Sequence, residues 1–334
     1  MRFRGFTKSL ALAALVMGAP AQASLSNSGG SAANLEAERL AIARFQSHDQ
    51  RLQDVGWKLA RGNAEFCDNA IPSIGLQLQD MASYGSPQVA REALGLEGDF
   101  AVQTVAAGSP AARVNGLDQN REIIRIEGTN PGEWDAGRRF EWQRLARAHD
   151  LIDAELSENG SVTVTFADAS SVSVEPVKAC LSRFELLGQS EKAVADGKRV
   201  VIGIDFPAFR YSEAEFAAVV AHELAHNLLG HTAWLDRNGR SRGNTRMAES
   251  EADRLMPWLL HNAGYDPEAA ARFLKEFRPY SGSLLFIRGS HPRWQERVVA
   301  VEQEIAQIEA LESNSAKADW RTHFRREIDP GKGL

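Results

Sequence analysis

His222-Glu223-Leu224-Ala225-His226 sits inside an apolar run from Phe216 to Leu229. The run reads as one helix. Ser212 is placed to cap its start, and Glu215, three residues on, completes a capping box. Positions four apart on a helix share a face, so His222 and His226 point their imidazoles the same way. Glu223 lies to one side of that pair. Ala221, Leu224, Ala225, Leu228 and Leu229 make the helix largely apolar, which predicts buried histidines. Buried imidazoles beside a carboxylate need polar partners. With 8 His in 334 residues, chance gives about 0.01 such patterns per chain, which favours a shared metal ion over two unrelated surface histidines.

His-Glu-x-x-His is the arrangement in which two histidines hold zinc and the glutamate reaches a water on the ion. A catalytic zinc site takes three protein ligands and keeps one position open. His231 follows His226 by five residues and Thr232 by six. The metzincin spacing asks for Gly at the third residue and His at the sixth, where this chain has Leu229 and Thr232. His231 therefore reads as a histidine at the helix end. Further on, Glu249-Ser250-Glu251-Ala252-Asp253 heads another helical pattern, Ala252 to His261. Glu249 and Asp253 share a face, and Glu251 points elsewhere. One of those two carboxylates can ligate zinc, and the other can hold a ligand histidine by its second ring nitrogen.

The pair of motifs resembles the HtpX/BepA-type gluzincin metallopeptidases, relatives of the CAAX prenyl endopeptidases. Other segments extend the likeness over residues 190 to 300: Ala195-Asp196-Gly197-Lys198-Arg199-Val200-Val201-Ile202, Ala263-Gly264-Tyr265-Asp266-Pro267-Glu268-Ala269-Ala270 and Ser290-His291-Pro292. The resemblance implies that His222, His226 and Glu249 bind one Zn2+ ion and that Glu223 is the general base. It implies that Asp253 supports the ligands from behind and that His291 faces the active site. There His291 would steady the tetrahedral oxyanion, or occupy the open zinc position and hold the site inactive. The bland reading of His291 is a histidine at a helix start before Pro292.

Residues 1–23 read as a secretory signal. Arg2, Arg4 and Lys8 precede a short apolar core, Leu10 to Met17, and Ala21-Gln22-Ala23 is a small-residue cleavage site. Eight apolar residues are too few to span a bilayer, which needs about 20. Cleavage leaves 311 residues and, with three positive charges gone, shifts the formal charge from −6 to −9. The expectation is an exported bacterial protein of the periplasm, soluble or peripheral to the envelope, with no integral membrane segment in the mature chain. An acidic chain without a basic block gives no support for nucleic-acid binding. Its two cysteines, Cys67 and Cys180, invite a disulfide in an oxidising compartment, with two buried thiols as the alternative.

The fold class expected is α+β: a mainly helical gluzincin domain with a small sheet, plus an inserted PDZ-like α+β domain. Residues 24–94 would be the N-terminal helical part of the protease domain, 95–178 the insert and 179–334 the metallopeptidase domain. A long helical pattern runs from Asn34 to Gly62. In the insert, strands are expected at Phe100–Val105 and Ile123–Ile126 and a helix at Ala136–Leu156. A hairpin is expected over Val162–Phe166 and Val172–Val174. With Gly108-Ser109-Pro110-Ala111-Ala112, Gly116-Leu117 and Ile126-Glu127-Gly128, this order is similar to bacterial protease PDZ domains. Gln119-Asn120-Arg121-Glu122 departs from the usual Gly-Asp, and Leu94–Phe100 only loosely suggests a carboxylate-binding loop. Because Cys67 and Cys180 flank the insert, their disulfide would close its neck.

By the resemblance, Val200, Val201, Ile202, Gly203 and Ile204 form an edge strand that pairs with substrate backbone. The plain alternative is an ordinary sheet strand covering the helix. Residues 232–248 read as a polar loop, a connector or a lid. Pro292 to Leu311 reads as a last long helix. The function expected is a zinc-dependent endopeptidase acting on protein or peptide substrates, misfolded or unassembled exported proteins above all. The alternative is an envelope protein-binding module with a latent metal site, and hydrolysis of another bond is a third reading. Oligomeric state is left open by the sequence.

Overall fold

The computed structural model describes residues 32–137, 142–277 and 293–328. In chain order its elements are α1 (Ala32–Gly62), β1 (Ala70–Ser73), β2 (Leu76–Asp80), α2 (Pro87–Leu94), β3 (Phe100–Val105), α3 (Pro110–Arg113) and β4 (Ile123–Ile126). Next come α4 (Gln143–Glu158), β5 (Val162–Phe166), β6 (Ser171–Val174), β7 (Val177–Cys180), β8 (Arg183–Leu187), β9 (Ala193–Ala195) and β10 (Arg199–Gly203). The chain then runs through α5 (Glu213–Leu228), α6 (His231–Asn238), α7 (Arg242–Asn262), α8 (Glu268–Phe277), α9 (Trp294–Ser313) and α10 (Trp320–His323). The α+β class holds. The signal-like residues 1–23 and His291 lie outside the described residues, as do residues 138–141 at the start of the helix expected from Ala136. Among the described residues no helix is long and apolar enough to cross a membrane.

The largest core gathers around α5. Phe216, Val220 and Leu224 of that helix are fully buried with Leu52 and Leu59 of α1, Leu255, Trp258 and Leu259 of α7, and Val301 and Ile308 of α9. A helix apolar on nearly every side belongs in the middle of its neighbours. The three-stranded sheet β8-β10-β9 closes one flank, contributing Val200 and Ile202. Gly56 lets α1 pass over it, since a Cβ there would meet the Phe184 ring at 2.4 Å.

That sheet corrects the expected substrate strand. β10 is the middle strand, parallel to β8 on one side and antiparallel to β9 on the other. Val200 and Ile202 turn inward, Val201 faces Val194, and Ile204 donates its N–H to Leu187 O at 2.8 Å. At Gly203, Ser190 O would lie 2.0 Å from any Cβ, so this glycine admits the returning chain rather than a ligand. With both edges occupied, Val200–Ile204 cannot take a further strand, and the plain alternative is the one observed. Among the described residues the edge strands of this sheet are β8 and β9.

A second core joins Ile74, Leu76 and Leu78 to Phe100, Val102, Ile126, Ile152, Leu156, Val162, Val164 and Phe166. It therefore begins at Ile74, upstream of the boundary expected at residue 95, because β2 pairs antiparallel with β3. β1 and β7 pair antiparallel where the chain enters and leaves this unit, Ala70 opposite Cys180. The Cys67–Cys180 disulfide lies at that neck with a Cα–Cα distance of 5.6 Å. Side-chain amides join the unit to α1: Gln46 donates to Asn120 Oδ1, as Gln79 does from within the unit, and Gln103 donates to the Asp49 carboxylate, which also accepts from Gln53 on its own helix.

The segment 232–248, expected as a loop, is mostly helix. Ser241 accepts from Asn244 N–H at 3.1 Å and starts α7 seven residues before Glu249. Only Gly239, with φ 83°, and its neighbours interrupt the path. Polar side chains there lie on helix surfaces, where polarity is no bar to helix formation.

Candidate metal centre

The turn into α5 is fixed from both sides. Ser212 Oγ accepts from Glu215 N–H at 3.3 Å, and Glu215 Oε2 accepts from Ser212 N–H at 3.2 Å, the reciprocal box expected from the sequence. Arg51 of α1 donates to the carbonyls of Phe209, Tyr211 and Ser212. In its last turn and the turn before it, α5 presents His226 and His222 toward α7, which brings Glu249 up to both. His222 Nε2 and His226 Nε2 are 3.2 Å apart, and Glu249 oxygens lie 3.3 Å and 3.7 Å from them.

These spacings decide whether a metal fits. Tetrahedral ligands held at about 2.0–2.1 Å from an ion lie roughly 3.3 Å from one another. The two Nε2 atoms, and the Glu249 oxygen nearest to each, Oε2 for His222 and Oε1 for His226, stand at or a little beyond that separation, and His222, His226 and Glu249 form a group that could hold a metal ion. The donors are two imidazoles and a carboxylate, on side chains 9%, 12% and 17% exposed. They are sheltered. Beside His222 lies a cavity of about 30 Å³ lined by Ala193 of β9, Phe206, Val219, His222, Glu223, Phe273 and Arg297. Glu223 thus borders the space beside His222, as a base for a molecule in that space must.

Asp253 stands behind His222, its Oδ1 3.1 Å from Nδ1, close enough to pair though not aligned as a hydrogen bond. Arg297 grips the same carboxylate with two bonds of 2.6 Å and 2.7 Å. Burial alone would raise the Asp253 pKa, but Arg297 and then His222 outweigh it and hold the carboxyl ionised. Burial also works against a charged His222 ring, yet Asp253 and Glu249 beside it lift its pKa to about 10. The spot favours a cation, whether a proton or a metal ion. Burial raises Glu223 above the usual carboxylate range, and His222 and His226 pull it partway back. A raised carboxyl can give back a proton that it has taken.

The sequence reading missed the support behind His226. His231, the first residue of α6 and fully buried, places Nδ1 2.9 Å from His226 Nδ1. Its Nε2 is 3.0 Å from Glu251 Oε2. Burial, only partly offset by Glu251, lowers the His231 pKa to about 4 and keeps the ring neutral. Glu251 points away from Glu249 and Asp253 as helix geometry required, but toward a second histidine rather than solvent. Its burial amid an apolar helix was the available signal, since a buried carboxylate demands partners.

No protein-family model, curated protein or solved structure matches the chain.

Proposed function

We propose that this chain is a zinc-dependent endopeptidase of the bacterial cell envelope. The observation carrying this reading is the convergence of two Nε2 atoms and one carboxylate to separations of 3.2–3.7 Å, with Glu223 lining a cavity that His222 also lines. Zinc suits that donor set: two borderline nitrogen donors with one hard oxygen donor is a common catalytic combination. When bound, such an ion lowers the pKa of water towards 7 and polarises a carbonyl. His222, His226 and Glu249 hold the ion, and Asp253 orients His222 from behind. Glu223 takes the proton from the attacking water at its carboxylate and delivers it to the leaving amine. His291 keeps the role its resemblance gives it, a donor to the oxyanion or a plug.

A peptide substrate is favoured by β9. That strand pairs with β10 alone among the described residues, and Ala193 at its start borders the cavity with His222 and Glu223. An extended peptide can add to it by backbone hydrogen bonds. Thr232 Oγ1 meets Ala195 O at 3.4 Å, which confines pairing to the end nearest the metal centre. The Cys67–Cys180 disulfide is compatible with an exported protein.

A second reading, a client-binding module, draws on the insert. A cavity of about 80 Å³ lies between β2, α4, β8 and α1, beside β2, which among the described residues pairs only with β3. Glu223→Gln separates the two. The endopeptidase reading predicts that the variant binds zinc but no longer cleaves a fluorescently labelled unfolded protein. Unchanged cleavage by Glu223→Gln overturns the assigned base.

A further inference from the structure

The last described residues of the chain reach Glu251, the carboxylate behind His231 and His226. After α10, Arg325 O accepts from Arg254 Nη2 at 2.8 Å, and the Glu327 carboxylate accepts from Arg254 Nη1 at 2.8 Å. Ile328 is buried with Trp234, Leu235 and Ala248. Between these anchors the segment crosses Glu251, which is fully buried. Glu251 Oε1 accepts the backbone N–H of Glu327, and that of Ile328 at 2.7 Å. Its Oε2 accepts from Arg326 Nη2 at 3.0 Å and from His231 Nε2 at the same distance. Arg326 Nη2 also donates to Leu229 O, three residues past His226.

With both rings neutral, as His226 is when its Nε2 lone pair faces an ion, these contacts allow one proton order. A carboxylate only accepts, so His231 carries its proton on Nε2. The other nitrogen of a neutral imidazole is then an acceptor, so the 2.9 Å contact between Nδ1 atoms needs its proton on His226. His226 with its proton on Nδ1 has a lone pair on Nε2, the atom that faces His222 Nε2 and Glu249. Glu251 thus sets the state of a residue two histidines away.

We infer that residues 325–328, Glu251 and His231 form a positioning strap that fixes the ring orientation and tautomer of His226, so that docking of the C-terminal segment sets how tightly the centre holds its ion. The inference deepens the metal-site reading and rests on it. The strap holds one ligand histidine, and Asp253 with Arg297 holds the other. Its parts come from α6, α7 and the chain end, so metal affinity depends on the packing of a segment 75 residues beyond Glu251.

The test is zinc affinity of the full chain, measured by competition with a chromophoric chelator, with thermal unfolding of each metal-free variant as a control. His231→Leu is expected to weaken zinc binding 10- to 100-fold, the usual effect of losing an outer partner of a metal ligand. His231→Gln should restore most of it, because its side-chain oxygen can accept from His226 while its NH2 donates to Glu251. Arg326→Met should weaken binding several-fold. It also serves as the probe if His231→Leu does not fold. If the wild type binds one zinc and Arg326→Met and His231→Leu bind it equally well, or if His231→Gln is as weak as His231→Leu, the strap is overturned and the metal centre stands. If the wild type binds no zinc, the metal-site reading fails as well.

Discussion

Arg297 and Asp253 offer a test in which stability and metal binding should part company. Their side chains are 5% and 2% exposed, joined by two short hydrogen bonds. Arg297→Met leaves the Asp253 carboxylate buried with His222 as its remaining charged neighbour, at 3.1 Å. Stranding one partner of a buried pair costs about 3–5 kcal/mol. Asp253→Leu strands Arg297 and should cost a similar amount. The double variant removes both desolvated charges, so it should recover most of that loss and lie within about 1–2 kcal/mol of the wild type. Zinc affinity should behave differently. Asp253→Leu and the double variant should both lose about 10- to 100-fold, because His222 has lost its support in each. Urea unfolding of the metal-free proteins and chelator competition measure the two quantities. Single costs that simply add in the double variant, or zinc affinity that returns with stability, would refute the reasoning.

Removing the disulfide by Cys67→Ser with Cys180→Ser opens a loop of 113 residues and should cost about 5 kcal/mol on the loop-entropy account. A loss below about 1 kcal/mol in urea unfolding contradicts that account. Asp49, buried between Gln53 and Gln103, has its pKa raised by burial from 3.8 to about 6. The folded chain thus binds this proton more tightly than the unfolded chain does. The contribution to stability is full below about pH 4 and is lost as pH rises through about 6, a change of at most about 3 kcal/mol. Relative to wild type, Asp49→Asn should therefore gain stability between pH 4 and 7, and parallel pH profiles for the two would contradict this. Pairing at β9 predicts that N-methylating one paired amide of a substrate peptide lowers kcat/KM about fivefold, the worth of about 1 kcal/mol. An unchanged kcat/KM for every single methylation would remove the strand-addition step.

How much of this was legible in the sequence depended on how local each cause was. The capping box, the shared face of His222 and His226, and the shared face of Glu249 and Asp253 follow from helical spacing within a few residues, whereas the meeting of those two carboxylates with the histidines was implied only by the resemblance; the structure brings them together. Pairing of Cys67 with Cys180 followed from their flanking positions, and β1 with β7 brings the stems together. The edge assignment of Val200–Ile204 went wrong because an apolar strand reads the same with one neighbour or two. What places it in the middle is β8, whose partnership no local pattern encodes. β2 was passed over because Leu76-Gln77-Leu78-Gln79-Asp80 is short and its partner β3 begins twenty residues later. His231 was assigned to a helix end, and it does begin α6. Its partner Glu251 gains meaning only through Arg326, across 75 residues of sequence.

Three side chains from two helices, His222, His226 and Glu249, are proposed to share one ion. Metal content after dialysis against zinc, followed by removal of unbound ion, tests it most directly. The wild type should carry one zinc per chain, and Glu249→Ala should carry almost none while remaining folded. Wild-type protein without zinc, or Glu249→Ala with a full equivalent at wild-type affinity, would contradict the assignment.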